Sequence, residues 1–168
     1  TAHAMTLPIL QSIQTRDGTM LSPRYDRYVT ASLDVYGEDS PEERALLTAL
    51  VPVGGVVLQV GANVGALTLP LAHAVGPTGR VFALEPQPVL FRALMANLAM
   101  NNLWQVEAKQ VAAGQHTGVA FLPEVDYQQP GNFGGISTTA EGTGIRVQVV
   151  QLDRALADVP RLDLIHLD

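Results

Sequence analysis

The stretch VLQVGANVGALTLPLA, Val57 to Ala72, constrains the fold more than any other. An apolar run meets two glycines four residues apart and continues into a helix-like run. A strand that is apolar on both faces belongs inside a parallel sheet. A glycine turn between such a strand and a helix is the first half of a β-α-β unit, and its loop faces the ligand side of the sheet. The following segments keep that rhythm. Gly76-Pro77-Thr78-Gly79 reads as a turn, RVFALE as a second strand, and VLFRALMANLAMNN as a helix with Val89, Leu90, Leu94 and Leu98 on one face. WQVEAKQVAA reads as a third strand, GVAFL and IRVQVV as two further strands, Asp153 onward as a short helical turn, and the closing LDLIHLD as a buried strand. This order predicts a parallel sheet with right-handed crossovers. Upstream, Ser40-Pro41-Glu42-Glu43 carries the signals of a helix start, and that helix stops before Pro52. Pro70 falls early in the helix after the glycine turn and should cost it a hydrogen bond or bend it. Residues 6 to 37 show no clean period, and RYDRYVTASLDVYG reads as a helix or an irregular cap. The expected division is a cap over 1–39 and an α/β domain over 40–168. Thr1 to Met5 reads as a tag remnant before a native start at Met5.

Two ligand classes suit the turn. A dinucleotide fingerprint requires glycine at its first, third and sixth positions, here Gly61, Asn63 and Ala66. Asn63 lacks the freedom that lets a pyrophosphate approach the backbone. Small residues at Gly61, Asn63 and Gly65 instead suit an adenosine joined to an amino acid, with no phosphate. Glu85 ends the second strand, where a carboxylate can accept from both ribose hydroxyls. Each feature alone is also compatible with an ordinary turn and an exposed strand end. Strand, glycine turn, helix, strand and terminal acid together favour a nucleoside site.

Composition narrows the partners. Net charge is −6, and the ten basic residues are one lysine, Lys109, and nine scattered arginines. Nucleic-acid binding needs clustered cations, so no nucleic-acid partner is expected. There is no cysteine, hence no disulfide or thiolate chemistry, which fits a cytoplasmic location. No 18-residue apolar stretch and no basic-then-apolar leader is present, so neither a membrane span nor a signal peptide is expected. No His, Asp or Glu cluster has ligand spacing, so no metal is expected.

With these segments in order, VVLQVGANVGALTLPLA, GPTGRVFALEPQPVLFRALMANLAMNN and VVQLDRAL…DLIHLD resemble the FkbM-type class I methyltransferases. The likeness covers roughly Ser40 to Asp168. It implies a Rossmann-like three-layer fold with a mostly parallel sheet, incomplete at its C-terminal side. It also implies an S-adenosylmethionine-dependent enzyme that methylates a hydroxyl on a small molecule or glycan. By position, Gly61, Ala62, Asn63 and Gly65 would hold the methionine part of the cofactor, Glu85 the ribose, and Pro86 the adenine side. Val111 and Ala112 would line the adenine pocket. Asp168 would face the reacting centre.

Three departures from the family pattern stand out. Gln59 replaces the usual Asp at the end of the first strand and loses its attraction for the cofactor's ammonium group. His166 replaces a Lys. The family pattern also continues past the position of Asp168, so the closing strand is expected to be an open sheet edge, prone to self-association. Leu164, His166 and Asp168 share one strand face. His166 is therefore a candidate general base beside Asp168, or else a histidine satisfied by a neighbour. His73 and His116 read as a helix residue and a turn residue. The loop Gln128 to Thr139 is a candidate lid or substrate segment, with Asn132 and Phe133 as contacts, or a plain surface hairpin. Tyr25 and Tyr28 are better placed in packing than over the pocket. The competing readings are an NAD-binding oxidoreductase and a non-catalytic cofactor-binding fragment. A methyltransferase acting on amino groups or nucleic acid would be expected to carry an Asn/Asp-Pro-Pro-aromatic turn, which DLIHLD lacks.

Overall fold

The computed structural model describes residues 7–168. The reading of Thr1 to Met5 as a tag remnant lies outside the described residues. Two strands come first, β1 (Leu10–Thr15) and β2 (Gly18–Pro23), followed by α1 (Val29–Tyr36) and α2 (Pro41–Leu50). Strand β3 (Val56–Val60), α3 (Thr68–Val75), β4 (Arg80–Leu84), α4 (Pro88–Met100) and β5 (Val106–Lys109) follow. The rest of the chain forms β6 (Ala112–Ala113), β7 (Gly118–Leu122), β8 (Ile145–Val150), α5 (Leu152–Ala155) and β9 (Leu164–Leu167).

The central sheet has four parallel strands in the order β5-β4-β3-β9. From β3 the chain steps outward twice to one side, through β4 and β5, and later returns to the other side at β9. Strand order therefore reverses between β3 and β9, the position where doubly wound sheets bind ligands. One face of the sheet packs on α3 and α4 around Val57, Val81, Leu69, Leu90 and Leu94, all fully buried. The opposite face gathers Leu58, Phe82, Leu84 and Val111 under the segment that runs from Val150 to Leu162. The expected Rossmann-like layering is present, and the bounds of β3, β7 and β8 are those read from the sequence.

Three local readings need correction, and the hydrogen bond that Pro70 is expected to cost is indeed missing. Residues 10–23 form an antiparallel hairpin, not an aperiodic cap. Asp17-Gly18 is the turn signal that marks it, with Gly18 at φ 133°. The third strand breaks in two: the Val111 N–H closes back on the Lys109 carbonyl (3.0 Å), so Ala112 and Ala113 leave the central sheet. They join a separate three-stranded sheet in the order β6-β8-β7. Ser40 precedes α2 as expected but forms no capping hydrogen bond and sits at φ 45°. Pro70 costs α3 one rung without breaking it, because Leu69 N–H to Gly65 O (3.0 Å) and Leu71 N–H to Leu67 O (3.2 Å) persist on either side.

The hairpin is fastened to α4 by side chains that imitate a strand. Leu21 turns its N–H and carbonyl away from β1. Asn97, fully buried, accepts from that N–H (2.6 Å) and donates to that carbonyl (2.9 Å) through one amide. Its Nδ2 also donates to the Val64 carbonyl in the glycine turn (2.8 Å). Two residues back along β2, the Thr19 carbonyl accepts from Asn101 Nδ2 (2.8 Å). The asparagines of NLAMNN thus join cap, helix and ligand turn.

Strand β9 pairs only with β3 among the described residues, and Ile165 and Leu167 are exposed. No described helix is long and apolar enough to cross a membrane.

Candidate cofactor site

A cavity of about 420 Å³ opens at the carboxyl ends of the central strands, at the point where strand order reverses. Its floor follows strand order. Asp168 after β9, Val60 at the end of β3 and Gly61 after it lie at one end, Glu85, Pro86 and Gln87 after β4 in the middle, and Ala112 and Ala113 beyond β5 at the other. Its outer wall is the chain from Gly134 to Thr138. No Lys or Arg lines it.

The glycine turn is tightly wound. Gly61 sits at φ 81°, Asn63 at φ 53° and Gly65 at φ 95°. Asparagine tolerates the left-handed region better than most side chains, so Asn63 keeps a geometry expected of glycine. The turn's backbone donors are already engaged. Gly61 N–H and Ala62 N–H both donate to Leu84 O (2.9 Å each), Asn63 N–H to Glu85 Oε2 (2.8 Å), Val64 N–H to Asn63 Oδ1 (2.7 Å) and Gly65 N–H to Ala62 O (2.8 Å). A phosphate cradle works through free N–H groups. The five donors from 61 to 65 supply none, so this turn suits a ligand without phosphate.

Gly61 also fixes the strand ends. A Cβ there would meet the Asp168 carbonyl oxygen at 2.9 Å, on top of the positive φ. We expect Gly61→Ala to lose about 1–3 kcal/mol in urea unfolding and to displace Asp168 from the cavity rim.

Glu85 is the charged centre of the cavity. It is 3% exposed, and each oxygen accepts one backbone N–H: Oε1 from Gln87 (2.7 Å) and Oε2 from Asn63. Burial pushes its carboxyl up to about 7, against those two donors and with a smaller push from Asp168. Each oxygen retains a second lone pair, and the two together match a vicinal diol. A buried acid at the middle strand, flanked by an uncharged wall, fits a ribose.

The other sequence candidates divide. Gly61, Glu85, Pro86, Ala112 and Asp168 line the cavity. Ala62, Asn63 and Gly65 shape it from behind. Gln59 does not face it: it is 2% exposed, and its Oε1 accepts from Thr68 Oγ1 (2.6 Å) at the start of α3. A carboxylate is unnecessary in that place, and the amide serves to dock the helix. Val111 lies on the opposite sheet face, in the cluster with Leu58 and Phe82, because the chain reverses between Lys109 and Ala112. His166 points to α2, where its Nε2 meets Glu43 Oε1 at 2.9 Å, and it is absent from the lining. His73 Nε2 meets the Asp17 carbonyl (3.0 Å). The ring of Phe133 is buried in the core rather than turned to a ligand. Tyr25 packs on the core and Tyr28 is exposed.

Sequence reasoning missed Gln87 and Tyr127. Gln87 lies between Pro86 and Pro88 and is 4% exposed. Its Nε2 donates to the Phe133 carbonyl (2.7 Å), and its Oε1 accepts from Tyr127 OH (3.0 Å). Tyr127 is pushed up to about 12 by burial and by Glu85. Only the position of Gln87, two residues past the acid, could have marked it. No group of three or more potential metal-ligating residues occurs among the described residues.

The family model described as the methyltransferase FkbM domain matches residues 59–168, well over half of the chain. No curated protein matches. Among solved structures, a SAM dependent methyltransferase from Aquifex aeolicus is 25% identical over 48% of this chain and 40% of its own, with a TM-score of 0.39. TYW2 from M. jannaschii, in complex with AdoMet, is 20% identical over 62% and 44%, with a TM-score of 0.47. The protein aTrm5, in complex with tRNALeu, is 18% identical over 62% and 28%, with a TM-score of 0.46. This chain spans less than half the length of each. The FkbM family comprises S-adenosylmethionine-dependent methyltransferases, and by the extent of the family match the chain belongs to it.

Proposed function

We propose that this chain binds S-adenosylmethionine in the cavity beside Glu85 and serves methyl transfer to a hydroxyl of a small molecule or glycan. The observation that carries the cofactor reading is the pairing of a buried carboxylate with a turn whose N–H groups are all spent. A ribose is served and a pyrophosphate is not, which disfavours NAD. The residues present fit the cofactor: Glu85 would accept from the ribose hydroxyls, Pro86 and Ala112 would flank the base, and Gly61 with Asp168 would lie at the amino-acid and sulfonium end. We read residues 40–168 as the methyltransferase unit and 1–39 as its cap.

S-adenosylmethionine supplies an electrophilic methyl group on a sulfonium. The protein's task is to hold the acceptor oxygen in line with that carbon and keep water away. Asp168 is the titratable group at that end of the cavity, and it is our candidate to take the hydroxyl proton. His166 is occupied by Glu43 and is the weaker candidate. The absence of Lys and Arg from the lining supports an uncharged acceptor over a phosphate-bearing one. An acidic chain with no described membrane-spanning helix is compatible with a cytoplasmic setting.

The test is transfer of a labelled methyl group from the donor to parallel pools of glycans, hydroxylated small molecules and RNA. Label in a hydroxyl of the first two pools is expected, lost in Asp168→Asn. Label in RNA alone would overturn the acceptor class.

A further inference from the structure

The segment Gly134–Thr138 crosses the cavity as a strap. At its start, Gly134 lies against the glycine turn: a Cβ there would come within 2.7 Å of Asn63 Nδ2. At its end, Thr138 joins Ala113 in a second, shallow cavity at the outer side of β6. The strap therefore runs from the β3 end of the site to the β5 end. Both of its roots are pinned. Gly131 exchanges hydrogen bonds with the N-terminal cap, donating to Tyr25 O (3.0 Å) and accepting from Arg27 N–H (2.9 Å). Thr139 pairs with Phe121 through both backbone groups (2.9 Å each). Between these roots, the backbone N–H groups of Ile136, Ser137 and Thr138 have no partner among the described residues, and Ser137 and Thr138 are exposed.

One interior contact sets the strap's height over the cavity. Gln87 Nε2 holds the Phe133 carbonyl, immediately before the strap. Tyr127 orients the same amide through its hydroxyl, and its ring packs on Phe133 with centroids 4.7 Å apart. The Gln87 backbone N–H meanwhile holds Glu85. A single buried residue thus spaces the strap from the carboxylate that we assign to the ribose.

On the cofactor reading proposed above, the base lies at the end of the cavity formed by Ala112 and Ala113, where those alanines offer no side-chain hydrogen bond. The strap brings to the cavity lining the unpaired backbone of Ile136–Thr138 and the hydroxyls of Ser137 and Thr138, where an N–H would serve the purine N1 and a carbonyl or hydroxyl oxygen the 6-amino group. We infer that Gln87 is a positioning residue that fixes this strap as the reader of the purine edge, so that selection of the 6-amino base depends on a residue of the cavity lining whose amide is spent on Phe133 and Tyr127. The inference rests on the adenosyl-ligand reading above and deepens it.

The experiment compares binding of S-adenosylhomocysteine and S-inosylhomocysteine, in which the 6-amino donor becomes an oxo acceptor, to the full chain. The wild type is expected to prefer the adenosyl compound by about tenfold or more, the worth of one well-placed hydrogen bond. Gln87→Leu should bring the two affinities within about twofold, and Tyr127→Phe, which keeps the ring, should give an intermediate ratio. Thr138→Val, an exposed change at the strap, should lower the ratio without altering thermal stability. A merely structural role would weaken both ligands equally and leave their ratio intact. An unchanged ratio in Tyr127→Phe and Thr138→Val, with adenosyl binding retained, overturns the strap assignment alone. No binding of either compound by folded wild type overturns the cofactor reading itself.

Discussion

Asn97→Leu is expected to destabilise the protein by about 3–5 kcal/mol, measured as the shift in its urea-unfolding free energy. The size follows from what is stranded, not from volume, which hardly changes. The Leu21 N–H, the Leu21 carbonyl and the Val64 carbonyl all lose their partner, the last in the interior and the Leu21 pair at a half-buried position. Each buried unpaired group costs about 1–3 kcal/mol. Asn101→Leu removes bonds from a half-exposed residue, where water can substitute, and should cost about 1 kcal/mol. If Asn97→Leu fell within the range of ordinary surface substitutions, the amide would not be holding the hairpin and the glycine turn to α4.

The second large effect concerns Glu85 and pH. Its carboxyl ionises near 7 in the folded protein and near the ordinary 4.5 when unfolded. A raised acid favours the folded state while it remains protonated. Its contribution is complete below about 4.5, declines as pH rises, and is gone above about 7. The shift corresponds to about 3 kcal/mol over that window. Glu85→Gln cannot lose a proton and so lacks this slope. The variant should be the less stable protein at pH 4.5, because its amide group cannot accept one of the two N–H bonds. The gap should narrow by about 3 kcal/mol by pH 8. Comparing variant with wild type cancels the pH dependence of Asp26 and Asp39, whose carboxyls burial also raises. Ligand binding should show the opposite sense. Ribose hydroxyls donate to the carboxylate form, so affinity for S-adenosylhomocysteine should fall about tenfold per pH unit below 7. A flat binding profile from pH 5 to 8 would mean that Glu85 does not contact the diol.

The centre of the parallel sheet was legible because β3 and β4 are buried on both faces and read as unbroken apolar runs. VVLQV shows its own boundaries for that reason, whereas IRVQVV, half-exposed and in the smaller sheet, is marked by its alternation. The glycine turn and Glu85 were legible because the chemistry of a nucleoside site dictates residue type at those places. The hairpin of 10–23 was not, because its outer face is finished by Asn97 and Asn101, about eighty positions away in sequence. A strand completed by side-chain amides has no need of an alternating pattern. Val111 and Ala112 read as one strand end, but one backbone closure at Lys109 sends them to opposite sides of the sheet. His166 read as a candidate base because nothing in LDLIHLD shows that α2 brings Glu43 within 2.9 Å. Gln59 looked like a weakened cofactor ligand, yet its role is to dock Thr68. Gln87 was invisible for the same reason in reverse: its partners, Tyr127 and Phe133, come from a loop some forty residues downstream.

The most direct test of the cofactor assignment is calorimetric titration of this chain at pH 8 with S-adenosylhomocysteine and, separately, with NAD, using Glu85→Ala as the control. We predict micromolar binding of the homocysteine compound, no binding of NAD, and at least a hundredfold loss in the variant with its fold intact. Binding of NAD, or of S-adenosylhomocysteine undiminished in Glu85→Ala, would contradict the site described above.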